Sequence, residues 1–380
     1  MKSILSLICS IVIIIAAAGC ENDVQPISTG ELVKVGVIGP LSGPDKEWGM
    51  NGLAGIKTAL KLQPLLKNGS KIELVIKDDQ NNPELTRQAL AKLAEEDVSS
   101  ILVISGSEPV LGLVEVSDSY KIPVLALTAN HPDIIKENSY ISQLLFDDDF
   151  QASVAALYVR DELMIDEVGV FIDDQNPHSF YLAKEFIRNF ESTGGISERI
   201  SVSRNKDAFT ERIRLLQNKD LKFLYLPLGA SHVVTIARIL DEIGYHPVIM
   251  GSDGLQATIL LQYPASLHLV NGMLATDPYA TGIPVTEYGI KAAKLFKQGF
   301  DTSGTVIVAA GCEGTSILIS AINRCQNNTD SWCINRMLRN TSDFVGLFSK
   351  ISIKENGKSE RPIFLNSIDG SQLKFVVKVY

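Results

Sequence analysis

The sequence has 380 residues, a formal net charge of −9 and 45% hydrophobic residues. A chain of this length buries enough apolar surface for two domains, each with its own core. The acidic balance argues against nucleic acid as a partner, because phosphate binding needs a basic surface.

The first residues have the features of an export signal. Lys2 precedes an almost unbroken apolar run, Ile4–Ala18, that ends in Gly19 and Cys20. A charged start, an apolar stretch and a small-residue cleavage site are typical of a signal peptide, and the run is short for a membrane span, which needs about 20 apolar residues. An uncleaved anchor, or an ordinary signal peptide with a chance cysteine, stays open on these features alone.

The segment Ala17-Ala18-Gly19-Cys20 resembles the lipobox of bacterial lipoproteins. This resemblance implies that residues 1–20 form a lipoprotein signal peptide and that Cys20 is acylated. It also implies that the lipid anchors the protein to a membrane in the periplasm or at the cell surface. Residues 21–32 are polar and contain Pro, Gly and Ser, so we expect a flexible tether there.

The remaining chain alternates between strand and helix patterns. Short apolar runs bounded by turn residues predict strands, and longer runs with helical periodicity predict helices. In chain order the predicted elements are strand 33–38, helix 49–66, strand 72–76, a helix ending near 95, strand 101–104, helix 109–120, strand 124–127, helix 149–163, strand 168–172, helix 180–192, a short strand near 200, helix 208–217, strand 223–226, helix 231–243 and strand 248–250.

This alternation predicts an α/β protein with parallel sheets and helices on both faces. The strands are too many for one sheet, so we expect two doubly wound parallel-sheet lobes. In such sheets ligands bind beyond the carboxyl ends of the strands, and Asp253 lies in a loop that follows a predicted strand. The run Asp147-Asp148-Asp149 precedes a predicted helix and fits complementation of the helix dipole in its first turn.

The cysteines indicate one local crosslink. Cys325 and Cys333 flank a short polar loop, which in an exported protein predicts a disulfide, and two free buried thiols are the alternative. Cys312 would then be unpaired and buried.

Enzyme motifs are absent from the sequence. It contains no Gly-x-Ser-x-Gly elbow, no Gly-rich phosphate loop and no His-Glu-x-x-His, and its five histidines lie far apart without metal-ligand spacing. We therefore expect no catalytic residues, no cofactor and no metal.

Several short motifs follow one another along the chain: Val37-Ile38-Gly39-Pro40-Leu41-Ser42-Gly43-Pro44 with Trp48-Gly49, Asp78-Asp79 with Pro83, Ile122-Pro123-Val124-Leu125 with Thr128-Ala129-Asn130, and Met250-Gly251-Ser252-Asp253-Gly254. In this order and spacing they resemble the type I periplasmic binding proteins for branched-chain amino acids. The resemblance covers essentially the whole chain after the predicted signal peptide.

This family binds the zwitterionic head of an amino acid between its lobes, so the resemblance implies site residues. Ser107 falls on a serine that binds the ligand carboxylate. Thr128 and Asn130 fall on positions that hold the carboxylate and the amine. Asp253 falls on the acid for the ammonium, and Trp48 falls on an aromatic wall.

The residues alone leave plainer interpretations open. Ser107 would cap a helix, Asp253 would be a solvated turn residue, and Trp48 would pack in a loop. A carboxylate is nevertheless chemically apt for a cation in a dry cleft, because a buried cation needs a paired anion.

The sequence departs from the family pattern at three places. His178 and Ser179 stand where Tyr-Gly is usual, Gly229 replaces an aromatic residue, and Cys312-Glu313-Gly314 replaces Tyr-Asp-Ala. The second lobe thus keeps its acid but loses aromatic walls, which leaves the ligand side chain open and is compatible with a molecule larger or more polar than leucine. His178 is a candidate donor to that ligand, or equally a histidine of a surface loop.

The resemblance also implies three crossings between the lobes, near Phe146, Thr276 and Lys350, that act as a hinge. The lobes would then comprise 33–146 with 277–350, and 147–276 with 351–380. The implied function is capture of an amino acid or amino-acid-like molecule by lobe closure and its delivery to an ABC transporter permease. A ligand-sensing lipoprotein that signals to a membrane receptor and a ligand-free scaffolding lipoprotein are the alternatives.

Overall fold

The computed structural model describes residues 27–202, 206–279, 286–295 and 305–380. Within this part every helix and strand lies between Leu32 and Val379. The predicted signal peptide with Cys20, and most of the predicted tether, lie outside the described residues. The described helices include none that combines the length and the apolarity needed to cross a membrane.

The first sheet has five parallel strands in the order β2-β1-β3-β4-β5. Its strands are β1 (Leu32–Gly39), β2 (Lys71–Asp78), β3 (Ser100–Val103), β4 (Val124–Ala126) and β5 (Ile141–Gln143). Its helices are α1 (Lys46–Leu62), α2 (Pro83–Glu95), α3 (Ser107–Leu111), α4 (Val114–Tyr120) and α5 (Asp133–Lys136). Both faces are covered, because Val37 packs in one core with Ile56 of α1 while Ile38 packs in another with Leu90 of α2.

The second sheet has seven strands in the order β15-β14-β10-β9-β8-β6-β7. Its parallel strands are β6 (Glu167–Ile172), β7 (Ile196–Ser201), β8 (Phe223–Leu226), β9 (Val248–Gly251) and β10 (Leu274–Asp277). Its helices are α6 (Asp148–Leu157), α7 (Pro177–Ser192), α8 (Lys206–Asn218), α9 (Ala230–Glu242) and α10 (Leu255–Gln262). A π-helical turn, Tyr158–Glu162, extends α6, and a 3₁₀ turn, Pro264–Val270, follows α10.

One edge of the second sheet differs from the predicted parallel arrangement. Strands β14 (Ile363–Asp369) and β15 (Gln372–Val379) pair antiparallel with each other, and β14 pairs antiparallel with β10. Only two residues connect β14 to β15, and the first of them, Gly370, has a φ of +61°. A two-residue connection joins antiparallel strands, since a parallel crossover needs about a dozen residues or more.

The remaining helices are α11 (Glu287–Leu295), α12 (Thr305–Ile322) and α13 (Ser331–Leu338). They join the first sheet through α12, which lies directly on α1. A Cβ on Gly55 of α1 would lie 2.0 Å from the carbonyl oxygen of Val308, and one on Gly311 would lie 2.2 Å from that of Gly52. Glycine at both crossing points therefore permits a backbone approach that a side chain would block.

A small antiparallel sheet also lies against the first sheet. It consists of β11 (Thr341–Val345), β12 (Lys350–Ile353) and β13 (Ser359–Glu360). The backbone N–H of Gln143 donates to the carbonyl of Gly357 at 2.9 Å, and the Ser359 hydroxyl donates to the carbonyl of Leu144 at 2.8 Å. We call the first sheet with its helices, α11–α13 and this small sheet lobe one, and the seven-stranded sheet with its helices lobe two.

The chain passes between these lobes three times in the described residues. It leaves β5 for α6 after Gln143, it leaves β10 after Asp277, and it passes from β13 to β14 between Glu360 and Ile363. The sequence predicted the third passage near Lys350. In the structure this passage lies about ten residues later, because β12 pairs with both β11 and β13 in lobe one.

The predicted α/β class with two doubly wound lobes is confirmed. Local sequence also explains where several helices begin. Asn82 accepts hydrogen bonds from the N–H groups of Glu84 and Leu85, and Pro83 occupies the first helical position of α2. Asn176 caps α7 in the same way, again with a proline in the first turn. The predicted helix 109–120 is wrong in one respect, because it is divided into α3 and α4.

A fully buried ion pair joins two of the passages. Arg361 Nη1 lies 2.9 Å from Glu313 Oε2 of α12, and both side chains are 0% exposed. The Tyr279 hydroxyl donates to the same Glu313 oxygen at 2.7 Å, and the N–H of Leu347 donates to its other oxygen at 2.7 Å. Arg361 also donates to the carbonyl of Pro278 at 2.9 Å and lies over the Tyr279 ring at 4.6 Å.

Removing one member of this pair should destabilise the fold strongly. Glu313→Gln leaves the Arg361 guanidinium buried without a counter-charge, which costs about 3–5 kcal/mol. Urea unfolding should show this loss, whereas Glu211→Gln, which removes an exposed partner of Arg214, should cost less than about 1 kcal/mol. Equal effects of the two variants would contradict a structural role for the buried pair.

The disulfide lies at the end of lobe one. Cys325 and Cys333 are bonded, with their Cα atoms 5.9 Å apart, and the second cysteine lies in α13. Cys312 is a free, buried cysteine in α12. Burial raises the pKa of its thiol to about 12, so the thiol is protonated and poorly reactive.

Loss of this crosslink should cost a modest amount of stability. Replacing Cys325 and Cys333 together by serine restores the chain entropy of a short loop, which the closed-loop model values at about 2–3 kcal/mol. Urea unfolding under non-reducing conditions measures the difference. The unmodified chain from Glu21 onward should also show one reactive thiol when denatured without reductant, and three would show that no disulfide forms.

Candidate functional site

The carboxyl ends of the strands in the two lobes face a shared cleft of about 480 Å³. All six residues that the sequence predicted for ligand binding border it, namely Trp48, Ser107, Thr128, Asn130, His178 and Asp253. The first four come from loops or helix ends of lobe one, and the last two come from lobe two. The fold thus brings together residues that are up to about 200 positions apart in sequence.

The lobe-one hydroxyls are engaged with their own loops. Ser107 Oγ accepts from the backbone N–H groups of Asn130 and His131, at 3.3 and 3.4 Å. Thr128 donates to the carbonyl of Ile104 at 2.6 Å. The N-cap of α3 is Gly106, so Ser107 does not cap this helix but fastens it to the neighbouring loop.

Trp48 spans the cleft between the lobes. Its indole N–H donates to the carbonyl of Ile104 at 3.1 Å, which fixes the ring in lobe one. The ring then reaches Gly254 of lobe two, where a Cβ would lie only 2.8 Å from a ring carbon. Gly254 also has a φ of +69°, a conformation that favours glycine. The aromatic wall therefore contacts the loop that carries Asp253.

Asp253 is the point where polar side chains of the two lobes meet. The Asn130 amide donates to Asp253 Oδ2 at 3.3 Å. The Asp253 side chain is only 8% exposed, and its Oδ1 has no hydrogen-bond partner among the described residues. A nearly buried carboxylate oxygen without a hydrogen-bond partner among the described residues thus lies at the cleft, 3.8 Å from His178 Nε2.

His178 lies between two carboxylates. Its Nδ1 is 3.0 Å from Oδ2 of the fully buried Asp148, and its Nε2 is 3.8 Å from Asp253 Oδ1. Burial lowers the pKa of His178, but the two acids outweigh this effect and raise it to about 9. Burial raises the pKa of Asp148, and the imidazolium beside it opposes that shift. At neutral pH His178 therefore carries a positive charge.

Sequence reasoning missed the role of Asp148. The three consecutive acids have different partners in the structure: Asp147 caps α6 by accepting from the N–H of Phe150, Asp148 contacts His178, and Asp149 accepts from the Tyr181 hydroxyl at 2.7 Å. The partner of Asp148 lies 30 residues further along the chain, so no local pattern could have revealed it.

The departures from the family pattern have separate outcomes. Gly229 borders the cleft, and a Cβ there would meet nothing within 4 Å, so this part of the cleft is open. Glu313 and Cys312 instead lie away from the cleft in α12, where Glu313 pairs with Arg361 and the Cys312 sulfur lies 3.3 Å from the Tyr288 hydroxyl. These two residues therefore do not border the cleft.

Comparison with known proteins gives a consistent result. The Leu/Ile/Val-binding protein homolog 3 of Brucella melitensis is 23% identical over 340 residues, which cover 87% of this chain and 90% of that protein. A crystal structure of a leucine binding protein from Thermotoga maritima superposes with a TM-score of 0.82 at 23% identity, covering 91% of this chain and 98% of the other.

A third relative is an ABC transporter solute binding protein from R. palustris in complex with 4-hydroxybenzoate. It has a TM-score of 0.77 and 18% identity, and the match covers 92% of this chain and 97% of the other. At these identities the structural likenesses show a shared fold. The family model described as periplasmic binding protein matches residues 32–372. The chain therefore belongs to the periplasmic binding protein family, whose members are non-enzymatic solute-binding proteins.

Proposed function

We propose that this protein is an extracytoplasmic solute-binding lipoprotein that captures an amino acid or an amino-acid-like molecule and delivers it to an ABC transporter. The observation that carries the proposal is the Asp253 carboxylate, which is nearly buried at the cleft between the lobes and has one oxygen without a hydrogen-bond partner among the described residues. A buried acid in this position suits a cationic group of a ligand, because desolvated charges require partners.

The charges around Asp253 favour an ammonium group. Asp148 and His178 neutralise each other, so the negative charge of Asp253 is left for the ligand. A ligand ammonium at Oδ1 would bring the net charge of the four groups to zero. Without Asp148, the imidazolium of His178 would itself neutralise Asp253 and weaken the attraction.

We assign the opposite end of the ligand to lobe one. Ser107 and Thr128 hold the loops at the carboxyl ends of β3 and β4, where a carboxylate would dock. Because their hydroxyls are already bonded, they act mainly by fixing the backbone, and Asn130 contributes its amide from the same wall. Rotation about the three passages would then close lobe two over the bound molecule.

The size of the cleft bears on the ligand side chain. The open space at Gly229 and the volume of about 480 Å³ leave room for a ligand larger than leucine. Relatives of the same fold are a leucine binding protein and a 4-hydroxybenzoate complex, whose ligands share a carboxylate. An aromatic acid is therefore the second candidate, and it would bind without using Asp253 as an ammonium partner.

The remaining parts of the proposal concern location. Acylation of Cys20 would hold the protein at the outer face of a membrane, and residues 21–32 would let the lobes reach a permease. The ligand-bound, closed form would be the form that the permease recognises.

A thermal-shift screen should identify the ligand class. The chain from Glu21 onward is tested against amino acids, small amides, polyamines and aromatic acids. A ligand at 100 times its Kd adds about 2.7 kcal/mol of stability, which shifts the midpoint by a few degrees. Asp253→Asn should weaken an α-amino acid by about tenfold or more, because it removes a charge-assisted hydrogen bond.

Glu211→Gln is the control, since Glu211 is an exposed acid of α8 that does not border the cleft. Its variant should bind normally. A ligand without an amine that binds equally to Asp253→Asn would refute the ammonium role and favour an aromatic acid. No response to the whole panel would count against capture of these molecules.

The charge on His178 should make stability depend on pH. Its pKa is about 6.5 in the unfolded chain and about 9 in the fold, so protonation stabilises the fold fully below about pH 6.5 and is lost as pH rises towards 9. Urea unfolding should therefore show that the advantage of the unmodified protein over His178→Gln, at most about 3 kcal/mol, shrinks across this range.

His232→Gln provides the matched control, because His232 is a half-exposed histidine 3.9 Å from an acid, Asp173. Its effect should not vary in this way. An NMR titration that gives His178 an ordinary histidine pKa would contradict the proposed charge arrangement.

A further inference from the structure

Three side chains from separate parts of lobe two meet at the cleft. Asp148 begins α6, His178 lies in the first turn of α7, and Asp253 follows β9. One donor atom of each lies within 4.8 Å of the donor atoms of the other two. We call these three residues the Asp–His–Asp cluster.

Two oxygens of this cluster lack partners. Asp148 Oδ1 and Asp253 Oδ1 have no hydrogen-bond partner in the part of the chain that the structure describes. Their side chains are 0% and 8% exposed, so bulk water does not readily replace a partner. A buried carboxylate oxygen without a partner is costly, which indicates that a cation belongs beside Asp253 Oδ1.

The donor types suit a particular class of cation. An imidazole nitrogen with carboxylate oxygens is a donor set for zinc and its neighbours in the first transition row, whereas magnesium and calcium prefer oxygen alone. Zinc bonds nitrogen and oxygen at about 2.0–2.2 Å. One ion can therefore reach both His178 Nε2 and Asp253 Oδ1, which lie 3.8 Å apart.

Asp148 completes a known arrangement around such an ion. A metal-bound histidine usually donates its second ring N–H to a carboxylate, which fixes the ring and makes it a better ligand. Here His178 Nδ1 lies 3.0 Å from Asp148 Oδ2, and the opposite ring nitrogen faces Asp253. Asp148 is thus a positioning residue for the histidine.

We infer that the Asp–His–Asp cluster is a binding site for a divalent transition-metal ion of the zinc type. His178 Nε2 and Asp253 Oδ1 bind the ion, and Asp148 orients the imidazole. The remaining coordination positions face the cleft and are open to water or to donor atoms of a captured molecule. The ion would replace the proton on Nε2 and neutralise the cluster.

Such an ion would act where the lobes meet. Asp253 uses its second oxygen to accept from Asn130 of lobe one at 3.3 Å. A metal ion that holds the Asp253 carboxylate in place would therefore also hold Oδ2, the oxygen that accepts the hydrogen bond from Asn130. The ion would use Asp253 Oδ1, the same oxygen that the proposed ammonium group would contact, so the two would compete for it, and the test below contains zinc alone.

Zinc binding to the chain from Glu21 onward tests the inference, since this chain contains every element of the described fold. After treatment with a chelator, calorimetry with Zn²⁺ should show one saturable site in the micromolar range. His178→Gln and Asp253→Asn should each weaken it by about tenfold or more, and Asp148→Asn should weaken it by about tenfold through the lost orientation. His232→Gln, which alters the His232–Asp173 pair, should leave the affinity unchanged.

Circular dichroism and the metal-free thermal midpoint show whether each variant is folded. A second measurement needs no variant: Co²⁺ should broaden the NMR signals of His178 selectively and spare those of the exposed His232. Absence of saturable zinc uptake, or uptake by His178→Gln and Asp253→Asn equal to that of the unmodified protein, would overturn the metal site. Amine binding that persists in that case would leave the proposed amino-acid capture intact.

Discussion

The buried pair of Glu313 and Arg361 holds the passages between the lobes in register. A charge removed from water must keep its partner, so the helix that carries Glu313 cannot move away from the segment that carries Arg361 without a large cost. Tyr279 and Pro278 bind the same two groups, which ties a second passage to the pair. The attachment of these two passages is therefore fixed at this point.

The cost of burying an unpaired charge also applies in the cleft, but there one carboxylate oxygen has no partner within the described part of the protein. At the passages the buried Glu313 and Arg361 are paired within the protein, whereas at Asp253 one oxygen remains without a partner among the described residues. Burial also raises the pKa of Asp277 well above its ordinary range, and the nearby Asp253 adds to the shift. The buried pair at the passages stabilises the fold, whereas the carboxylate of Asp253 at the cleft can still accept a partner.

Sequence patterns predicted the fold where local physics decides it. Apolar runs located strands such as β3, β4 and β8, because strands buried on both faces are continuously apolar. The partly exposed β2 and β7 were located as well, whereas the antiparallel β14 and β15 were not predicted, and β15 has a mixed pattern of exposure. All six predicted ligand residues border the cleft, but the contact of His178 with Asp148 depends on packing of α7 against α6 and leaves no signature in either segment.

The contact between Trp48 and Gly254 gives the protein an intrinsic optical reporter. The chain has only two tryptophans, and the other, Trp332, is 58% exposed on α13 beside Arg336. The indole of Trp48 is anchored in one lobe and touches the other, so any separation of the lobes would change its environment. In a Trp332→Phe variant, tryptophan emission would come from this ring alone and would follow such a movement without any attached dye.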